Sequence, residues 1–221
     1  MESAVFFLVG LPLAFICSQL VVKLTDFEEE IVEGADERKL PWQVAPWTGR
    51  VRWGVVLLLP VFMAVAGSRF GVAQAALISL IVGGLLVCTA TDLLRYRVPN
   101  AITYPGTLLA LLAALVMPGA EFESALLAFV LAGLGFLALA LATNGGFGLG
   151  DVKLAALIGA ALGLQASYQA LFLGIVGGGL ILLVLFAVGA VGRKQAVPYA
   201  PFLALAAVVV VLTQGAAFAP L

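Results

Sequence analysis

Histidine is absent from all 221 residues, and cysteine occurs only twice, at Cys17 and Cys88. Without an imidazole there is no Ser-His-Asp arrangement and no histidine-ligated metal site. The two cysteines form no CxxC pair, so nothing in the sequence calls for zinc, and no metal is expected. Charge is scarce as well: Asp, Glu, Lys and Arg make up 10% of the chain, against about a quarter in a soluble domain. No nucleic-acid partner is expected. The N-terminus, MESAVFF, lacks the basic stretch that precedes the apolar core of a cleavable signal peptide, so the first apolar run is expected to stay as a helix.

What the chain has instead is apolar sequence. Hydrophobic residues reach 63% and the mean hydropathy is +1.18. They fall into long runs with short polar breaks, the pattern of a polytopic membrane protein. Eight runs qualify as helices: Ala4–Val22, Val51–Gly67, Val72–Ala90, Ile102–Val116, Ser124–Thr143, Val152–Leu164, Ala170–Val191 and Phe202–Phe218. Two are weaker: Val51–Gly67 contains Arg52 and Pro60, and Val152–Leu164 is short against the roughly 20 residues a span needs. If Val152–Leu164 is only a half-helix, the count is seven. The expected fold class is all-α, a polytopic membrane bundle of about eight transmembrane helices forming one domain over residues 1–221. Lys and Arg set its orientation. With the N-terminus outside, Lys23, Arg38, Lys39, Arg50, Arg52, Arg95, Arg97, Lys153, Arg193 and Lys194 all lie on the inner side. Arg69 alone lies outside. That distribution favours eight helices with both termini outside.

One sizeable polar segment remains, residues 23–50, read as a cytoplasmic loop. It carries seven acids from Asp26 to Glu37, ahead of Arg38 and Lys39. Such a run serves as a solvated loop, or as a docking surface for a basic partner. The glycine pairs and triples at Gly83-Gly84 and Gly177–Gly179 are expected to let helices pack closely.

Outside that segment, Glu2, Glu121 and Glu123 fall on the outer side, which leaves two acids, Asp92 and Asp151. The charge-derived topology puts both at the inner membrane edge. Asp92 stands in CTATDLLRYRVPN at the end of a helix, and Asp151 in GFGLGDVK at the start of one. Each has an ordinary explanation: Asp151 as an N-cap, and Asp92 as an interfacial acid paired with Arg95. Together they suggest more, because ionisable groups near membrane depth are costly and mark function by default. Two carboxylates in close contact cannot both ionise, so the pair shares a proton. The ionised one draws a proton from water, while the protonated one hydrogen-bonds a scissile carbonyl. The helix dipole favours charge on Asp151 and disfavours it on Asp92, so Asp92 is expected to hold the shared proton more often. Gly148 and Gly150 are expected to supply positive φ and clearance for an extended chain beside Asp151. Lys153 is placed to meet an anion or to snorkel to the interface.

At these residues the sequence resembles the bacterial type IV prepilin peptidases, a family of GxGD-type membrane aspartic peptidases. TDLLRYRVPN is similar to the family's first aspartate motif, with Asp92, Pro99 and Asn100. GLGDVKL matches the second, with Asp151 and Lys153. VGLPLAFICSQLV, PWTGRVRWGVVLLLP and KQAVPYAPFLALAA look like its first, second and last segments. The resemblance implies an enzyme of the bacterial inner membrane, with its site facing the cytoplasm. It would remove the leader of prepilin or pseudopilin precursors, cutting after a glycine, and needs no cofactor for that step. Asp92 and Asp151 would be catalytic, with Gly148, Gly150, Lys153, Pro99, Asn100 and Arg95 in supporting roles. Many members also N-methylate the new terminus with S-adenosylmethionine. Bifunctional members typically carry two CxxC pairs in the first cytoplasmic loop, and residues 23–50 have none. S-adenosylmethionine therefore enters only if methylation is retained.

Two other classes compete: an ion- or proton-coupled transporter, and a non-catalytic membrane assembly protein. Acids at one face rather than the midplane, and the lack of an inverted repeat, argue against the first. Free replacement of Asp92 and Asp151 by Asn would favour the second. Leaders of such substrates are short and basic, so neutralising Glu28, Glu29 and Glu30 should raise the apparent KM at low salt and leave it unchanged at high salt. Peptide-cleavage kinetics at two ionic strengths measure this, and an unchanged KM at low salt rejects the docking role.

Overall fold

The computed structural model describes residues 2–29, 45–143, 147–189 and 197–220. Among them eight α-helices follow in chain order: α1 (Glu2–Glu29), α2 (Ala45–Arg69), α3 (Val72–Arg95), α4 (Asn100–Val116), α5 (Phe122–Ala142), α6 (Leu149–Leu162), α7 (Leu164–Ala187) and α8 (Ala200–Gln214). Helices dominate because a chain in lipid must satisfy every backbone N–H and C=O internally. Four stretches are long and apolar enough to cross a membrane: Ser3–Leu24, Val72–Arg95, Phe122–Ala142 and Leu164–Ala187. Trp53–Arg69, Asn100–Val116 and Ala200–Gln214 are shorter apolar helices. The acidic run begins on the last turn of α1 at Asp26, and its continuation in residues 30–44 lies outside the described residues.

The chain forms two compact units, Met1–Ile102 and Thr103–Leu221. In the first, α1 packs closely along α2, with α3 against both. A Cβ built on Gly10 would come 2.7 Å from Pro60 Cα, so α1 meets the backbone of α2 where proline interrupts it. α2 runs through Pro60 without ending there, although proline removes one ladder hydrogen bond, a loss that neighbouring helices can offset. Ala14, Val21, Leu59, Met63, Ile78, Val82 and Leu85 fill the core. The Gly83-Gly84 pair packs as expected: a Cβ on Gly84 would sit 3.1 Å from Ile102 Cγ2.

In the second unit, α5 and α6 touch backbone to backbone. A Cβ on Gly159 would lie 2.5 Å from Ala128 O and 3.0 Å from Phe129 N. α6 and α7 are separated by one residue, Gly163, at φ +77°. The Leu164 N–H that this break frees donates to Ser124 Oγ at 2.8 Å. α7 therefore starts at Leu164, earlier than the Ala170 expected from apolarity, because a side-chain acceptor on α5 caps it. The last helix also differs from expectation. It stops at Gln214, not Phe218. Gly215, at φ +93°, turns the chain into a two-strand hairpin, β1 (Gly215–Ala216) antiparallel to β2 (Ala219–Pro220). Ala217 N–H donates to Ala161 O at 2.9 Å, and Ala217 O accepts from Glu121 N–H at 2.8 Å. Phe218 is wholly buried beside them. The composition of this tail is helical, but its backbone groups have better partners on neighbouring elements.

The α5–α6 crossing gives a direct test. Gly159→Ala must push α6 away from the Ala128–Phe129 peptide of α5, and should lower stability by about 1–3 kcal/mol. Gly135→Ala, which meets nothing within 4 Å, should stay within about 0.5 kcal/mol of the parent. Denaturant titration in mixed micelles compares the two.

Candidate functional site

Asp92 sits in the last turn of α3 and is 6% exposed. Its neighbour Thr91 donates Oγ1–H back along α3 to the carbonyls of Val87 and Cys88, both at 3.0 Å. α3 ends because Tyr96 turns left-handed, at φ 54° and ψ 38°, with its N–H on Asp92 O at 2.8 Å. Tyr96 has the only positive φ outside glycine among the described residues, a conformation that costs an L side chain about 1–2 kcal/mol. Arg97 is exposed, Val98 and Pro99 are buried, and α4 begins at Asn100. Ile102 N–H closes that first turn on Pro99 O at 3.1 Å. Asp92, the half-buried Arg95, Pro99 and Asn100 thus belong to one tight reversal in the first unit. Asp92 lies at a helix C-terminus, where the negative end of the helix dipole disfavours a negative charge.

Asp151 stands at the opposite kind of helix end. It is the third residue of α6 and is 8% exposed. Gly148, not Asp151, is the N-cap, and its N–H donates to Asp151 Oδ2 at 3.0 Å. The carboxylate reaches back to the cap, one half of a capping box, and faces the positive end of the helix. This corrects the expected role of the glycines. Gly148 has φ −80° and ψ 158°, an extended conformation open to any residue, and Gly150 lies inside α6. The described glycines with positive φ are Gly119, Gly163, Gly189 and Gly215. What Asp151 requires of position 148 is a backbone N–H, not a left-handed turn. Clearance is present: a Cβ on Gly148 would have Asp151 Oδ2 at 3.7 Å and Gly150 N at 3.8 Å as its nearest neighbours. Residues 144–146, with the Gly145-Gly146 pair, lie outside the described residues.

Three residues around the first turns of α6 carried no signal in the sequence. Tyr104 on α4 lies under Lys153, whose Nζ is 5.8 Å from the ring centroid, within cation–π range. Phe147, next to the cap, meets Phe136 of α5 edge-on at 5.7 Å and Tyr199 at 4.8 Å. Tyr199 precedes α8, and its hydroxyl donates to Ile175 O of α7 at 2.7 Å. Burial pushes the Tyr199 phenol up, the negative charge of Asp151 adds to this, and the Gly179 N–H pulls the other way. Tyr199 falls within KQAVPYAPFLALAA, but nothing in that string points to position 151. In the second unit, then, Gly148, Gly150, Asp151 and Lys153 share the first turns of α6, with Phe147 and Tyr199 alongside.

Residues 79–183 match the model of the type IV leader peptidase family. The chain is also similar to the prepilin leader peptidase/N-methyltransferase of Bacillus subtilis (strain 168), at 32% identity over 158 residues, or 71% of this chain. The match spans 63% of that relative's length. No solved structure matches the chain.

The Gly148 cap separates conformation from hydrogen bonding. Gly148→Ala, at φ −80° with room for a methyl, should leave stability within about 0.5 kcal/mol of the parent. Gly148→Pro also fits that φ but deletes the N–H that Asp151 accepts. It should cost about 1–3 kcal/mol, the range for leaving a buried polar group without its partner. Unfolding titrations of the two variants supply the comparison.

Proposed function

Because the chain belongs to the type IV leader peptidase family, we propose that it is an aspartic endopeptidase of the bacterial inner membrane. It removes the leaders of prepilin or pseudopilin precursors at the cytoplasmic face. The observation that carries this reading is the burial of both motif acids: among the described residues, Asp92 and Asp151 are the buried carboxylic acids. Both fall inside the segment that matches the family model. Buried acids in so apolar a chain are costly and call for a function.

The reaction needs the two carboxyl groups together on a substrate, with one proton between them. Asp151, held by the Gly148 N–H at a helix N-terminus, is the ionised partner. It takes a proton from water as the water oxygen attacks the scissile carbonyl carbon. Asp92, at a helix C-terminus, is the protonated partner and gives its proton to the carbonyl oxygen. The tetrahedral intermediate then collapses: the C–N bond breaks, Asp151 returns the proton to the leaving nitrogen, and Asp92 recovers its own from the gem-diol. Lys153, Arg95, Pro99 and Asn100 support substrate or loop. The substrate is a membrane-inserted helix whose basic leader reaches the inner face, and the bilayer is the other partner.

Methyl transfer is not assigned. The name of the Bacillus relative includes N-methyltransferase, which would imply S-adenosylmethionine. Ser18, Ser79, Thr91 and Ser167, all buried, spend their hydroxyls on carbonyls of their own helices. No buried side-chain N or O among the described residues lacks a partner. No step is therefore routed through S-adenosylmethionine.

Cleavage of a prepilin-type precursor in membranes carrying the parent, Asp92→Asn or Asp151→Asn, read by mass spectrometry, tests this reading. Both variants should lose roughly 10²–10⁴-fold in rate, with Asp92→Asn retaining the more activity. The same spectra show whether the new terminus gains a methyl group. Normal processing by either variant would reject the paired mechanism and revive the transporter or assembly reading.

A further inference from the structure

The Asp151 carboxylate is held to the turn by a 3.0 Å hydrogen bond from the Gly148 N–H, and a glycine brings no side chain with which to anchor itself. The residue before the cap ordinarily packs on the fourth helical residue of its own helix, which here would pair Phe147 with Val152. Instead the Phe147 ring is held edge-on between two rings from elsewhere in the second unit. Phe136, on α5, is 3% exposed and 5.7 Å away. Tyr199, ahead of α8, is 4.8 Å away.

Tyr199 is itself pinned from several sides. Its ring packs edge-on against Phe202 at 5.7 Å. Its hydroxyl donates to Ile175 O, 24 residues away in sequence, on the body of α7. The small-residue face of α7 receives it: a Cβ on Gly178 would come 3.0 Å from the Tyr199 hydroxyl and 3.0 Å from Phe202 Cβ. Of the Gly177–Gly179 triple, Gly178 alone has such close neighbours, because a Cβ on Gly177 or Gly179 would meet nothing within 4 Å. The seat is thus built for this ring at this place. Edge-to-face pairs of this kind stabilise a fixed ring geometry beyond what burial alone gives, and so fix the entry angle of a short turn.

We propose that Tyr199 and Phe147 are positioning residues for Asp151: the ring pair, anchored to α7 through the Tyr199 hydroxyl, holds the Gly148 N–H on the Asp151 carboxylate. Asp151 sits near enough for its charge to act on the Tyr199 phenol, so the clamp and the acid share one neighbourhood. The consequence for catalysis rests on the peptidase reading above. The consequence for the turn does not.

The experiment pairs two readouts on the full-length protein in bilayers: amide hydrogen exchange at Gly148, and precursor cleavage kinetics. Tyr199→Leu removes the edge-to-face contact and the hydroxyl. It should speed exchange at Gly148 about tenfold or more while leaving α1 to α3 unchanged. It should also lower kcat about tenfold with KM within twofold, since misplacing a catalytic group acts on the chemical step. Tyr199→Phe keeps the ring, and should restore most of the protection and of kcat. Phe147→Leu provides the same test from the other side of the contact, should Tyr199→Leu fail to insert. Unchanged exchange at Gly148 in the leucine variants overturns the clamp, whatever the activity. Faster exchange with an unchanged kcat overturns its catalytic consequence. Faster exchange in variants of a parent that cleaves no precursor leaves the clamp standing and removes the peptidase reading instead.

Discussion

Everything in this chain answers to the absence of water around its backbone. Lipid offers no hydrogen-bond partner, so each peptide group must find one within the protein. The helices are the direct result, and the same rule governs their ends. Where α6 stops at Leu162, the freed N–H of Leu164 goes to Ser124 Oγ. Where α8 stops at Gln214, the Ala217 amide and carbonyl go to Ala161 and Glu121. Lipid tails are as apolar as leucine, so helices gain little by hiding leucine from them. Close contact between small residues must hold them together instead. Gly10 on Pro60, Gly159 on Ala128 and Gly174 on Leu203 are such contacts. Phe172, Leu183 and Val209 remain exposed, as lipid-facing side chains should be.

Within that constraint a buried carboxylate is an expensive choice, and the chain makes it twice. The two acids are not equivalent. Burial pushes the Asp151 carboxyl up, and the Gly148 N–H pulls it back, helped by the positive end of the helix dipole. Asp92 lies where carbonyls converge, behind a tyrosine in left-handed geometry. This asymmetry comes from which end of a helix each acid occupies, and it matches the division of labour proposed for water activation.

Much of this was legible in the residues. The apolar runs located eight helices, and the scarcity of charge singled out Asp92 and Asp151. Two local readings went astray for physical reasons. The tail after Gln214 looked helical, but Gly215 and the backbone partners of Ala217 fold it into a hairpin. Gly148 was expected to supply a left-handed turn, whereas it contributes an N–H in extended geometry. Propensity and glycine content describe what a segment permits. They do not say which neighbour will take up its polar groups.

The sequence by itself determined the class of molecule and its candidate chemistry. Both follow from composition and from the two aspartate motifs, which depend on residues close together along the chain. Only the tertiary structure decided what surrounds the acids. Phe147, Tyr199 and Phe136 come from three separate segments, and Tyr199 reaches Ile175 across 24 residues. An aromatic ring within an apolar run looks like any other membrane residue, because hydrophobicity has no direction along the sequence. The ring becomes specific only when folding brings its edge to one particular face.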